Sequence, residues 1–503
     1  MATRSRMPSL ILNLSQPTPF CVTYRSMHTL HRLPHSRFMS SSTGPSSSQP
    51  PWLESILQDR SPAPRIYSWT PNNGPSRPHT RDALDPRRIY VLGVGNMGRL
   101  YATSLAKLSN PPPITLVLHR KELLSDWEAG RGVEMIRLDV TERDNKASFD
   151  VEYWTDNPPK DEGMSREIID GGHMGNLLIG TKAALAIPEV DRLRRYLGPR
   201  STVAFTQNGM NILWPPHGQT YISHRYSDAS SAPSFIHCIT GHGLINLGPF
   251  RSRHAALADV KVGPVLPNGT AAEEYLINQI AAAPHLDSIV VSRADLWALQ
   301  LEKLVFNTVI NPITAVLRVK NGALFASETG PLVSVMDRLL QETSAVYRSL
   351  ANHPSTAQIL SPSGDPSDLV LARHRLEERF SFAALRSILW EFGLKVGENR
   401  SSMFQDVTAG RTTEIRDLNG WIVDMAKFLD TTTNDTFTTT TTATATTAAA
   451  APSAGATTAT AGGAASSPGA TCHDVSAHQK LVDLVEKGQV LDQEQLARAV
   501  LGS

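Results

Sequence analysis

Lys303, Asn307 and Asn311 stand four residues apart within the stretch Leu296 to Pro312. On a helix that spacing puts all three on one face. Asparagine is a poor helix former, so two of them in line with a lysine, inside an otherwise apolar helix, set local propensity against function. A polar stripe between packed surfaces suits a small oxo or hydroxy acid. Reducing a carbonyl leaves an alkoxide, which needs a proton donor within hydrogen-bond reach and positive charge nearby. Lysine supplies both once burial lowers its pKa. Pro312 has no N–H for the helical ladder, so a kink or a helix boundary is expected there.

A second group of residues lies upstream. Arg88 to Leu92 reads as a strand, Gly93, Gly95 and Gly98 form a G-x-G-x-x-G turn around Val94, Asn96 and Met97, and an apolar helix follows. Gly93 permits the tight turn, Gly95 lets the backbone approach a pyrophosphate, and Gly98 allows the helix to pack closely on the strand. The helix N-terminus attracts the phosphates. The next strand, Thr115 to Leu118, runs into His119, Arg120 and Lys121. A basic residue there accepts a ribose 2′-phosphate, where an acidic one would bind the 2′-hydroxyl. NADPH is therefore expected over NADH, with Arg120 as the phosphate partner, although Glu122 follows and blurs the preference. Lys182 in Gly180 to Ala183 and Asn208 in Gln207 to Met210 each follow an apolar run. Doubly wound sheets bind ligands beyond such strand ends, which places both side chains against cofactor or substrate.

These residues need elements to hold them. From Arg87 strand-like runs alternate with helical patterns, so residues 87–288 are expected to form a Rossmann-like dinucleotide-binding domain on a parallel sheet. Residues 289–430 read as an all-helical domain for substrate and catalysis, making the chain an α/β protein with a helical second half. Residues 431–472 are almost entirely Thr, Ala, Gly and Ser, a composition that predicts a disordered insertion, and residues 473–503 return to amphipathic spacing and complete the helical domain. His217 to Ser234 is expected to be a surface loop. Residues 41–86 are expected to be linker with one short helix near Trp52 to Leu57.

With 48 basic against 47 acidic residues, charge makes no case for nucleic acid or an anionic membrane. Cys21, Cys238 and Cys472 lie far apart without ligand spacing, so no metal site and no disulfide framework are expected. Arg4, Arg6, Arg25, Arg32 and Arg37 precede the first acidic residue, Glu54, among many serines. That composition, over residues 1–86 with their linker, predicts a mitochondrial transit peptide and delivery to the matrix, with the cytoplasm as the alternative.

In chain order the segments GVGNMG, GTKA, QNGM, W-x5-K-x3-N-x3-NP, NRSSMFQD and TEI-x3-NG span most of residues 87–430. As a set they resemble the ketopantoate reductase family. The resemblance implies a two-domain enzyme that reduces 2-dehydropantoate to pantoate with NADPH, on the route to pantothenate and coenzyme A. It implies that Lys303 is the proton donor and that Glu414 lies beside the nicotinamide and that lysine. It assigns Asn208, Asn307, Asn311, Asn321 and Ser402 to the substrate, Lys182 and Asn208 to the cofactor, and, through the Thr240 to Gly243 turn, Gly243 to a backbone contact with the cofactor. Two alternatives stand beside it: another NADP-dependent 2-oxo acid reductase on the same scaffold, or a mitochondrial binding protein that keeps the fold without turnover. A homodimer is left open.

Overall fold

A computed structural model of the chain describes residues 49–70, 85–138, 140–143, 145–157, 166–269, 271–446 and 472–502. The described strands are β1 (Tyr67–Trp69), β2 (Ile89–Leu92), β3 (Ile114–Leu118), β4 (Glu134–Arg137), β5 (Val140–Glu142), β6 (Asp150–Thr155), β7 (Arg166–Glu167), β8 (Asn176–Ile179), β9 (Thr202–Phe205), β10 (Ser234–Thr240), β11 (Gly243–Gly248), β12 (Arg251–Ala256), β13 (Val260–Leu266) and β14 (Ser288–Val290). Ten of them form one sheet in the order β14-β13-β10-β9-β8-β2-β3-β6-β1-β7. From β10 across to β6 every neighbouring pair is parallel. Every residue of β2, β3, β8 and β9 is buried, because a parallel sheet covered on both faces needs near-continuous apolar runs. The strand order reverses at β2, which has β3 on one side and β8 on the other, so the chain leaving β2 enters the crevice where such sheets bind ligands.

The second half is helical, as its patterning predicts, and is built on the long helix Arg293–Leu317 with Pro331–Asn352, Phe382–Lys395 and Ile415–Thr446 around it. Ser292 starts the long helix by accepting the Asp295 N–H on its hydroxyl, 3.1 Å away. The expected boundary at Pro312 does not occur: the helix passes through it. Proline leaves the carbonyl four residues back without its helical donor, and that carbonyl, of Thr308, instead accepts from Asn419 Nδ2 at 2.9 Å. Asn419 also meets His478 Nδ1 at 3.0 Å, and His478 Nε2 lies 3.0 Å from Thr343 Oγ1. This fully buried cluster ties the late helix Ser476–Glu486 to the long helix.

Four expectations change. Folded structure begins before Arg87: the short helix expected near Trp52 to Leu57 is present as Pro51–Gln58, but it buries Leu53 completely, Ile66 is equally buried, and β1 pairs antiparallel with β6. A strand of three residues held by distant partners leaves no periodicity to read. His217 to Ser234 is not a plain surface loop, since His217–Arg225 is a helix with Tyr221 fully buried and Arg225 paired to Asp59 at 3.0 Å and Asp191 at 2.8 Å. The helix that starts at Ile415 continues to Thr446, into the Thr-rich tract. Extending an existing helix is far easier than nucleating one, and the Thr432 hydroxyl donates back to the Phe428 carbonyl at 3.0 Å. The rest of the expected insertion, residues 447–471, lies outside the described residues, as do residues 1–48 with the expected transit peptide. Finally, β11, β12, β4 and β5 form a separate four-stranded sheet that sequence patterning did not announce.

Candidate active site

The cofactor end of the crevice follows from packing around three glycines. Gly93 has φ +94°, and a Cβ there would lie 2.8 Å from the backbone of Gly180 and Thr181. A Cβ on Gly98 would collide with the Gly93 carbonyl oxygen at 2.2 Å. Both positions therefore exclude any side chain. Gly95 differs: its nearest neighbour would be 4.0 Å away, so the space above it stays open at the N-terminus of the helix Asn96–Leu105. A cradle of open backbone at a helix start fits a pyrophosphate. Val94 is buried, and its carbonyl accepts from the buried Arg99 at 2.9 Å, while Asn96 Oδ1 accepts from Ser252 Oγ at 2.8 Å. These bonds hold the loop's shape from beneath, and Met97 packs half-buried beside them. Arg120 is exposed just beyond the end of β3, the place a 2′-phosphate needs a cation. Its neighbour Lys121 sits 4.1 Å over the ring of Trp69, a partner supplied by the segment ahead of Arg87.

The long helix carries Lys303 into the same crevice. Its ammonium donates to Asn208 Oδ1 at 3.2 Å and to the Thr240 carbonyl at 2.7 Å. Burial pushes its pKa down from 10.5 to about 8, against the pull of the nearby Glu414 carboxylate. Burial raises the Glu414 carboxyl as well, while Asn208 Nδ2, 3.4 Å from Glu414 Oε2, favours the charged form. Asn208 therefore bridges the two ionisable groups, accepting from the lysine and donating to the glutamate. Lys182 reaches across from the end of β8 and donates to the Thr412 carbonyl at 2.5 Å and Asp406 Oδ2 at 3.4 Å, so it links the sheet to the segment that leads to Glu414.

The asparagine stripe continues along the helix face. Asn311 Nδ2 lies 3.4 Å from Asn307 Oδ1, whereas Asn307 Nδ2 is buried without a hydrogen-bond partner. Asn321 is similar: Nδ2 donates to the Val396 carbonyl at 3.3 Å, and its buried Oδ1 has no partner. Buried polar atoms are nearly always satisfied, so an orphaned donor on Asn307 and an orphaned acceptor on Asn321 each leave capacity for a polar ligand. Of the serine pair, Ser401 is the structural member, capping the helix Ser402–Thr408 and meeting Thr314 Oγ1 at 2.7 Å. Ser402 is exposed at the first position of that helix.

Gly243, assigned by the resemblance to a backbone contact with the cofactor, follows the strand that carries Thr240. It opens β11 in the second sheet, where a Cβ would meet that of Ala256 at 2.9 Å. What the Thr240 to Gly243 turn contributes is the Thr240 carbonyl. Sequence reasoning missed Thr240, Asp406 and Thr412. Two of these three act through backbone carbonyls, which every residue type carries, and Asp406 was legible only as part of the NRSSMFQD segment.

Residues 89–267 match the family model described as Ketopantoate reductase PanE/ApbA, and residues 295–445 match its C-terminal counterpart. The chain is 39% identical to Ketoisovalerate reductase BEA2 of Gibberella fujikuroi, over 91% of this chain and 100% of that protein. It is 38% identical to a ketoisovalerate reductase of Beauveria bassiana over the same shares. It is 26% identical to a probable 2-dehydropantoate 2-reductase of Schizosaccharomyces pombe, over 67% of this chain and 90% of that one. Among solved structures, a probable 2-dehydropantoate 2-reductase of Bacillus subtilis superposes with a TM-score of 0.45 at 22% identity, covering 67% of this chain and 92% of that chain.

Proposed function

The chain belongs to the ketopantoate reductase family, and from that premise we propose that it reduces ketoisovalerate, a branched 2-oxo acid, to the 2-hydroxy acid with NADPH. Its class is that of an oxidoreductase acting on 2-oxo acids with a dinucleotide cofactor. The observation that carries the reading is Lys303, a half-buried ammonium with a pKa of about 8, held by Asn208 and the Thr240 carbonyl beyond the carboxyl ends of the sheet strands.

When bound, NADPH supplies a hydride to the carbonyl carbon. The residues do the rest. Asn208 Oδ1 and the Thr240 carbonyl engage two of the three ammonium protons of Lys303, leaving the third for the substrate's carbonyl oxygen. As charge builds on that oxygen, Lys303 stabilises it and transfers the proton. A pKa of about 8 keeps the donor charged at neutral pH yet acidic enough to give the proton up. Glu414 keeps the lysine charged until then, and the free Nδ2 of Asn307 is available to the substrate carboxylate.

The substrate choice rests on relatives named for ketoisovalerate at 38% and 39% identity along 91% of the chain. A second reading, reduction of 2-dehydropantoate, is favoured by the orphaned Asn321 Oδ1, an acceptor that suits a substrate hydroxyl that ketoisovalerate lacks. NADPH consumption by the purified full chain, with each oxo acid in turn, decides between them. A kcat/KM at least tenfold higher for ketoisovalerate supports the first reading and the reverse order supports the second. Consumption with neither refutes both.

A further inference from the structure

Gln300 lies three residues before Lys303 on the long helix and is almost completely buried. All of its amide is engaged. Nε2 donates to the Gly209 carbonyl at 2.8 Å and to His237 Nε2 at 3.0 Å, and Oε1 accepts from Trp214 Nε1 at 2.6 Å. The Gly209 and Trp214 bonds allow only one orientation of the amide, with the NH₂ group toward His237. His237 Nε2 therefore faces an amide NH₂, and Nδ1 faces another, that of Asn211 at 3.4 Å, so the ring is flanked by donors and a second ring proton has no acceptor: the imidazole is neutral.

Each end of this network adjoins one of the two groups that hold Lys303. Gly209 follows Asn208 directly, and at φ +84° its backbone is confined against the Asp417 carbonyl, 2.8 Å from where a Cβ would stand. His237 lies on β10, three residues before Thr240, whose carbonyl is the other acceptor. On the far side of the turn lies a cavity of about 290 Å³, lined in part by Met210, Asn211, Trp214 and His237. Gly209 packs against Asp417 and Leu418, and the Gln300 amide adds a hydrogen bond to the turn's backbone from the helix side. A charged imidazole would also be unwelcome here: burial, together with the charge of Lys303, pushes His237 down to about 3.

We propose that Gln300 is a positioning residue for the reduction: by gripping Gly209 and a neutral His237 it sets both acceptors of Lys303 at once and thereby fixes where the lysine's free proton points. The reductase reading enters only through the role given to Lys303, since the bracing geometry holds whatever the substrate. A small misplacement of a proton donor is costly, up to about a hundredfold for roughly 1 Å.

The test pairs kinetics with a measurement that needs no turnover. In Gln300→Leu the kcat should fall about tenfold to a hundredfold with the KM for NADPH unchanged. The pKa of Lys303, read from the pH dependence of its modification by an amine reagent followed by mass spectrometry, should move away from its wild-type value. In a Lys303→Ala background, Gln300→Leu should add almost nothing to the loss. Gln300→Glu keeps the shape, loses both donors, and should behave likewise. Trp214→Phe, which removes only the bond at Oε1, should shift the lysine pKa less and serves if the other variants do not fold. An unchanged Lys303 pKa together with additive kinetic losses would overturn the proposal while leaving the reductase reading intact. A wild-type protein without turnover, whose Lys303 pKa nevertheless moves in the variants, would sink the reductase reading and keep the positioning role.

Discussion

Replacing Lys303 by alanine removes the one ammonium that Asn208 and the Thr240 carbonyl hold at the crevice. Its pKa of about 8, against 10.5 for an ordinary lysine, sets the expected wild-type behaviour. The donor is the protonated form, so reduction should be level below pH 8 and fall about tenfold per pH unit above it. An ordinary lysine would hold its proton to beyond pH 10 and produce no such limb. Lys303→Ala should lower kcat by roughly 10²- to 10⁴-fold, the usual range for a general acid, and abolish the limb. NADPH affinity should hardly change if, as proposed, the cradle at Gly95 and Arg120 carry that binding. Lys303→Arg restores the charge but holds its proton too tightly to donate it, so it should rescue little and show no limb near pH 8. The assay is the decay of reduced-nicotinamide absorbance across pH 6 to 10, with cofactor affinity from protein fluorescence. Retention of more than about a tenth of the wild-type rate, or an alkaline limb that survives in Lys303→Ala, would remove the basis for the mechanism.

Arg120→Asp should abolish any preference for NADPH by deleting a charge-assisted phosphate contact and adding repulsion, and an equal loss with NADH and NADPH would show that Arg120 does not read the 2′-phosphate. Asn419→Leu strips the Thr308 carbonyl of its donor inside the core, so urea unfolding should report a loss of about 1 to 3 kcal/mol, and a loss well below about 1 would mean the carbonyl finds another partner. Replacing residues 447–471, which are almost entirely Thr, Ala, Gly and Ser, by a short Gly/Ser linker should preserve turnover, and loss of soluble protein would count against this. We also propose mitochondrial delivery: residues 1–60 fused to a fluorescent reporter should localise to mitochondria, and a diffuse cytosolic signal would refute it.

How much was legible depended on whether the cause was local. The cradle could be read because Gly93 and Gly98 face collisions that only glycine escapes, and the motif states that requirement directly. The polar stripe could be read because helix geometry alone puts Lys303, Asn307 and Asn311 on one face. The central strands betrayed themselves as apolar runs because a sheet covered on both faces buries every residue. The roles of Glu414, Asn321 and Ser402 came from resemblance alone, and no spacing within the sequence placed them beside the stripe.

What the tertiary structure alone decided has a common physical origin. The second acceptor of Lys303 is a backbone carbonyl 63 residues away, a group that every residue carries and no motif can mark. Pro312 was expected to mark a kink or a boundary, and the helix continues through it with Asn419, 111 residues on from Thr308, satisfying the carbonyl that proline leaves unpaired. Beyond its short helix, the stretch that ends in β1 at Trp69 looked like linker because its order comes from burial of Ile66 and from pairing of β1 with β6, both against a body formed by later residues. Sequence determines the elements whose patterns repeat every two or 3.6 residues. Single hydrogen bonds between distant positions have no period, and they decided how the site is held together.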